Sequence, residues 1–151
     1  MGARIAIASD HAAFAAKAEL VGWLRGLGHD VIDLGPDHAA SVDYPDYGYK
    51  LAEAIADGQA TLGLALCGSG IGISIAVNRH PACRCALVSE PLSARLARTH
   101  NDANVLAMGT RLIGIEQIKA CTEVFLATKF EGGRHQGRVD KLSRSFEKEP
   151  A

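Results

Sequence analysis

One thiol in this chain stands where it could do chemistry. Cys67 lies in the stretch Leu64-Ala65-Leu66-Cys67-Gly68-Ser69-Gly70-Ile71-Gly72-Ile73-Ser74. The apolar run from Thr61 to Leu66 reads as a buried strand that ends at this cysteine. Glycines follow at alternate positions, and Ile73-Ser74-Ile75-Ala76-Val77 can start a helix. A strand–glycine loop–helix junction leaves backbone N–H groups unpaired at the positive end of a helix dipole. Such a nest holds an anion, or an oxyanion that forms during a reaction. A cysteine at its mouth has its thiolate favoured near neutral pH. A plainer reading stays open at this point. Cysteine is among the most buried residue types, and glycines also permit tight packing.

The loop fails two better-known patterns. A dinucleotide fingerprint needs Gly-x-Gly-x-x-Gly, and its last position falls on Ile73 or Ile75. A Walker loop needs Gly-Lys-Ser/Thr, which is absent. One detail favours a nucleotide: Glu90 lies at the end of the next strand, near where a ribose-binding acid would sit. A non-enzymatic nucleotide-binding module is therefore an alternative.

The elements that must position Cys67 are legible from periodicity. Ile5-Ala6-Ile7-Ala8 reads as a short buried strand. A helix follows from about Ala12 to Leu27, with a core stripe of Ala16, Leu20, Trp23, Leu24 and Leu27. Gly28 stops it. Asp30 to Leu34 is a second strand, and Asp37 to Val42 a polar loop. Asp43-Tyr44-Pro45-Asp46 then launches a helix with Tyr47, Leu51, Ala54 and Ile55 on one face. After the cysteine loop, the helix ends near Asn78, ahead of Pro81. Arg84 to Val88 is a fourth strand. Ser89 is the expected cap of the next helix, with Pro91 in its first turn, running to about His100. Val105 to Met108 is the fifth strand. A last long helix, about Ile115 to Thr128, buries Ile118, Cys121 and Phe125. A basic tail follows from Glu131 to Arg138. Alternating strands and helices imply an α/β class: a three-layer α/β/α sandwich around a five-stranded parallel sheet, Rossmann-like.

In a parallel sheet every strand C-terminus lies on one edge, where ligands bind. That edge receives Asp10 and His11, the Cys67 loop, Ser89 and Glu90, and Arg111. An acid, an imidazole, a thiol, an oxyanion-binding loop and a guanidinium would meet in one crevice. Each also has a plainer role: Asp10 can cap the first helix, and His11 can be a surface neighbour of that cap. Arg111, Arg134 and Arg138 can be solvated, yet arginine forks match phosphate oxygens. His100 falls on its helix's apolar side, so it reads as a core histidine. Its helix runs back to the opposite edge of the sheet. A catalytic His100 would reach a neighbouring subunit's crevice and lie near that chain's Cys67.

Composition sets the bounds. The 151 residues fit one domain, with a C-terminal tail from about residue 141. Hydrophobic residues make up 48% and charged residues 22%, the balance of a globular protein. The formal net charge of −1 gives no global field toward nucleic acid or membrane. Met1-Gly2-Ala3-Arg4 leads straight into a strand-like run with no signal-peptide pattern, so the cytoplasm is expected. Cys67, Cys83, Cys85 and Cys121 form neither a disulfide framework nor paired metal knuckles. Reduced thiols and no structural metal are expected.

The ordered motifs resemble one family. They are Ser9-Asp10-His11, Asp43-Tyr44-Pro45, Cys67-Gly68-Ser69-Gly70-Ile71-Gly72-Ile73-Ser74 and Ser89-Glu90-Pro91. His100-Asn101-Asp102, Ala107-Met108-Gly109-Thr110-Arg111 and Glu131-Gly132-Gly133-Arg134-His135-Gln136-x-Arg138 complete the set. The chain resembles the ribose/galactose phosphate isomerases, and among them the type B ribose-5-phosphate isomerases. The resemblance implies a homodimer or a dimer of dimers with the active site at the subunit interface, and no cofactor. It implies interconversion of D-ribose 5-phosphate and D-ribulose 5-phosphate, in the non-oxidative pentose phosphate pathway. By position, Cys67 resembles the base that takes the C2 proton. His100 resembles the proton donor, working with Asp10 in ring opening. Gly68, Ser69, Gly70, Ile71 and Gly72 would hold the enediolate, with Ser69 near the reacting oxygens. Asp10, His11 and Asn101 resemble sugar contacts, and Arg111, Arg134 and Arg138 the phosphate clamp. Some members replace the cysteine by a glutamate within the loop; that position is Ile73 here. Ser69 replaces a threonine of some members and keeps the hydroxyl. Leu92 stands where some members have a tyrosine. A hexose 6-phosphate or tetrose 4-phosphate is an alternative substrate.

Overall fold

The computed structural model describes residues 4–144 and 146. Five strands carry the apolar runs: β1 (Arg4–Ser9), β2 (Asp30–Asp33), β3 (Leu62–Cys67), β4 (Cys85–Leu87) and β5 (Val105–Gly109). Between and after them lie α1 (Phe14–Gly26), α2 (Tyr44–Ala56), α3 (Ile71–Asn78), α4 (Pro91–Asn101), α5 (Ile115–Ala127) and α6 (Gln136–Leu142). All pairings are parallel, in the order β2-β1-β3-β5-β4. The chain moves outward from β1 to β2, then returns to lay β3 on the other side of β1. The space above β1 and β3 is thus a topological switch point, where open α/β sheets bind ligands.

The two faces of the sheet are built from residues of different size. Ile5, Ile7, Leu64, Leu66, Leu106 and Met108 point to the side covered by α1, α4 and α5. Ala6, Ala8, Ala65, Cys67 and Ala107 point to the side covered by α2 and α3. Successive strand side chains alternate between faces, so this split follows directly from the sequence. Small residues on the second face let α2 and α3 approach the sheet closely. Cys67 belongs to that small-residue row, at the end where it runs out into the switch-point crevice.

Several local expectations are corrected. The first helix does not begin as a continuous α-helix at Ala12. Asp10 caps a short 3-10 turn, His11–Ala13, and α1 starts at Phe14. Leu27 lies beyond α1 and is 57% exposed, while Lys17, 1% exposed, takes a core position. The Lys17 ammonium meets both Asp33 carboxylate oxygens, at 2.7 and 2.9 Å, so the buried charge is paired. Ser89 does not cap α4. Glu90 does, accepting the N–H groups of Leu92 and Ser93 and the Ser93 hydroxyl. The buried side of α4 is Ala94 and Ala97, and His100 is only half-buried. The strand around Arg84 is shorter than expected, because the Arg84 N–H donates to the Asn104 side-chain oxygen at 2.7 Å rather than to a neighbouring strand. The basic tail folds into a 3-10 turn, Gly133–His135, followed by α6. Residues 145 and 147–151 of the expected tail lie outside the described residues. Among the described residues no helix is long and apolar enough to cross a membrane.

Candidate active site

Cys67 closes β3 and is 4% exposed. The chain then turns through Gly68 and Ser69 into Gly70, whose φ of 75° is a left-handed conformation that only glycine adopts without strain. This turn points the Gly70 N–H back at the Cys67 Sγ, 3.1 Å away. The sulfur therefore accepts a backbone hydrogen bond at the entry to α3. Ser69 Oγ accepts the Ile71 N–H at 3.2 Å, so its own hydroxyl proton is available to a ligand. The N–H groups of Gly68, Ser69, Gly72 and Ile73 make no hydrogen bond among the described residues. They form the amide nest the glycine spacing predicted.

The loop after β5 locks this nest. Thr110 N–H donates to Cys67 O at 3.0 Å, and Arg111 N–H to Gly68 O at 2.9 Å. The Arg111 side chain lies along Gly68. Asp10 Oδ1 accepts the Ala13 N–H at 3.2 Å, and Asp10 is also among the residues that line the crevice. Its capping and site roles are therefore compatible. The result is a cleft of about 340 Å³ lined by Asp10, Tyr44, Cys67, Gly68, Ser69, Gly72, Arg111 and Leu112. Tyr44 and Leu112 were absent from the expected set. Tyr44 stands in the quoted Asp43-Tyr44-Pro45 motif. Its ring packs so closely on Gly72 that a Cβ there would meet it at 2.6 Å and Tyr44 would have to move. Leu112 carried no signal beyond following Arg111.

His11 is not among the residues lining the cleft. Its Nδ1 accepts the Val42 N–H at 3.1 Å, fastening the polar loop ahead of α2. Glu90 is fully committed as a helix cap, which removes the acid expected for a nucleotide ribose.

A second group gathers elsewhere. α4 runs from its Glu90 cap back toward the start of β5, carrying His100 to the other end of the sheet. There His100 stacks on His135 with centroids 4.4 Å apart and planes 18° from parallel. Arg134 and Arg138 flank His135 closely enough to disfavour its protonation. Asn101 lines a different cavity with Asn78, Arg84 and Leu142. Within one chain, His100, Asn101, Arg134 and Arg138 therefore do not join Cys67. Donor atoms of His100, Glu131 and His135 lie within 4.8 Å of one another. Stacked rings aim their lone pairs side by side, whereas metal ligands must converge on one point. Two nearby guanidiniums further oppose a cation.

The four cysteines are free. Burial pushes the Cys83 thiol up to about 11, against a smaller opposing effect of Arg84. Burial pushes Cys85 higher still, with Cys83 adding to it. Burial and the Glu90 carboxylate also raise Cys121.

An open parallel sheet with a thiol and an amide nest at its switch point defines an α/β enzyme built for anionic substrates. Residues 5–142 match the ribose/galactose isomerase family. The chain is 44% identical to ribose-5-phosphate isomerase B of Escherichia coli, over 93% of this chain and 94% of that protein. It superposes on the ribose 5-phosphate isomerase of Thermotoga maritima with a TM-score of 0.92, at 47% identity, covering 95% and 99% of the two chains. For the type B enzyme of Trypanosoma brucei the TM-score is 0.90, at 38% identity, covering 95% and 98%. The chain belongs to the ribose/galactose isomerase family.

Proposed function

We propose that this protein interconverts D-ribose 5-phosphate and D-ribulose 5-phosphate as a cytoplasmic homodimer. The observation that carries the reading is the Gly70 N–H donated to Cys67 Sγ inside a cleft walled by Arg111. An aldose–ketose shift needs a base, an acid and a pocket for developing negative charge, and this loop supplies the first and last. The Cys67 thiolate takes the C2 proton of the open aldose. The C–H electron pair forms the C1–C2 double bond, and the carbonyl oxygen O1 becomes the enediolate oxygen. The unpaired N–H groups of Gly68, Gly72 and Ile73 receive that charge, and the Ser69 hydroxyl donates to a reacting oxygen. The O2 proton passes to O1, and as the O2 electrons form the ketone the C1–C2 double bond takes the proton back from Cys67 at C1.

Ring opening needs an acid on the other side of the sugar. His100 of the partner subunit would fill that role, with Asp10 receiving the anomeric hydroxyl proton. Asn101 of the partner subunit would contact the sugar. Arg111 with Arg134 and Arg138 of the partner subunit would grip the phosphate, and His11 Nε2 would assist. Phosphate binding remote from C1 and C2 then orients the reacting carbons. The dimer is supported by Ile71, Ile75, Leu87, Leu92 and Leu96, large apolar side chains left exposed on α3, β4 and α4.

The test is a side-by-side assay with ribose, allose and galactose phosphates and a tetrose phosphate. The pentose phosphate should give the highest kcat/KM. In deuterated water the ketose should carry deuterium at C1. A hexose or tetrose phosphate with the higher kcat/KM would move the assignment to that sugar.

A further inference from the structure

We infer that His135 is a positioning residue that holds the His100 imidazole by ring stacking. The inference rests on the proposed role of His100 as the acid of ring opening. His100 stands half-buried one residue from the end of α4. His135 supplies a fixed face at a centroid distance of 4.4 Å and an 18° tilt. It is 6% exposed, and its N–H donates to Gly132 O at 3.0 Å. The buried Val139 seats α6 behind it. The Glu131 N–H reaches Thr99 O at 3.2 Å, which ties this segment to the residue just before His100.

Hydrogen bonding of His135 Nε2 does not explain why the side chain is buried there. Its Nε2 has no hydrogen-bond partner among the described residues, and the Glu131 carboxylate stands 3.6 Å away, beyond good hydrogen-bond length. Leaving a polar atom in that state costs stability. The ring face is what the fold uses. Burial, then Arg134 and His100, with Arg138 adding a smaller effect, hold the His135 imidazole below its ordinary value against the opposing Glu131 carboxylate. Protonation of His135 is thus disfavoured beside the ring it stacks on.

A double-mutant cycle in kcat tests this. His135→Ala should lower kcat roughly tenfold through misplacement of the acid, with KM for ribose 5-phosphate within about twofold. His135→Phe, which keeps a stacking face and drops both nitrogens, should hold kcat within about threefold of the parent. In a His100→Ala background, His135→Ala should change the residual rate no further. Thermal unfolding of each variant separates these effects from loss of fold. An unchanged kcat in His135→Ala overturns the inference. So does an equal loss in the His100→Ala background, or a rise in KM alone, which would assign His135 to the arginines. Full activity in His100→Ala would instead remove the proposed acid itself.

Discussion

The Gly70 N–H and the Cys67 sulfur face each other at 3.1 Å across a three-residue turn. The contact places the thiol, the amide nest and the start of α3 in one rigid unit. Cys67→Ala keeps the small-residue row of the α2 and α3 face, so the protein should fold with little change in melting temperature. Its kcat should fall by about three orders of magnitude or more, the scale of a lost general base. Cys67→Ser should fare no better, since a hydroxyl gives almost no alkoxide at neutral pH. Circular dichroism melts and steady-state kinetics check both.

The thiols should differ in reactivity. Burial raises Cys83, Cys85 and Cys121, so these stay protonated at pH 7.5 and resist alkylation. Cys67 lies at a cleft with an N–H donated to its sulfur. Limited iodoacetamide at pH 7.5 should modify Cys67 first and abolish activity in step. Ribose 5-phosphate should slow the labelling. Raising the pH toward 11 should bring Cys83 into reaction. Peptide mass mapping reads each site, and early labelling of Cys85 would count against this ordering.

The Lys17–Asp33 pair braces the floor of the cleft. Asp33 Oδ1 also accepts the Gly35 N–H, and Gly35 O accepts the Ser9 N–H just before Asp10. Lys17→Ala leaves a carboxylate facing a cavity and should cost about 3 kcal/mol. Lys17→Met fills the space and should cost less if Asp33→Asn accompanies it. Urea unfolding of the three variants measures the order.

The strands were legible because buried parallel strands are continuous apolar runs, and each β-run found its place. The site loop was legible because Gly68, Gly70 and Gly72 meet constraints a sequence displays directly. Charged residues in structural roles were harder. Lys17 lies on the buried side of α1, but hydrophobic periodicity cannot see a lysine paired with Asp33. Ser89 looked like the cap of α4, yet one residue later Glu90 reaches two amides at once. The turn and helix after Gly132 bury little beyond His135 and Val139, so they left no apolar stripe. The strand order rests on pairings between distant segments, which local pattern does not encode.

The Glu90 cap makes stability depend on acid in a stated direction. Hydrogen bonds from the Ser93 side chain and from the Ser93 and Leu92 amides hold its carboxyl below its ordinary value near 4.5. A depressed folded-state value contributes stability that is present above the unfolded value. It is lost as pH falls through the folded value. Glu90→Gln should therefore melt below the parent at pH 7. The gap should narrow below about pH 4.5 and close once the folded-state carboxyl is protonated. Melting curves across pH 3–7 test this, and a gap independent of pH would refute it.

The separation of the two residue groups makes the strongest prediction. Cys67 and Arg111 lie at the C-terminal edge of the sheet, while His100, Arg134 and Arg138 gather at the other end of α4. If each active site takes one group from each of two chains, Cys67→Ala and His100→Ala should both be nearly inactive alone. In a mixed dimer both lesions fall in one site and the other site is intact. Unfolding an equimolar mixture and refolding it should give mixed dimers as half the population by random pairing. Activity should then recover to about a quarter of the parent protein, as two-fold symmetry requires. Refolding each variant separately should recover none. If the site belonged to a single chain, the mixture would stay as inactive as its components.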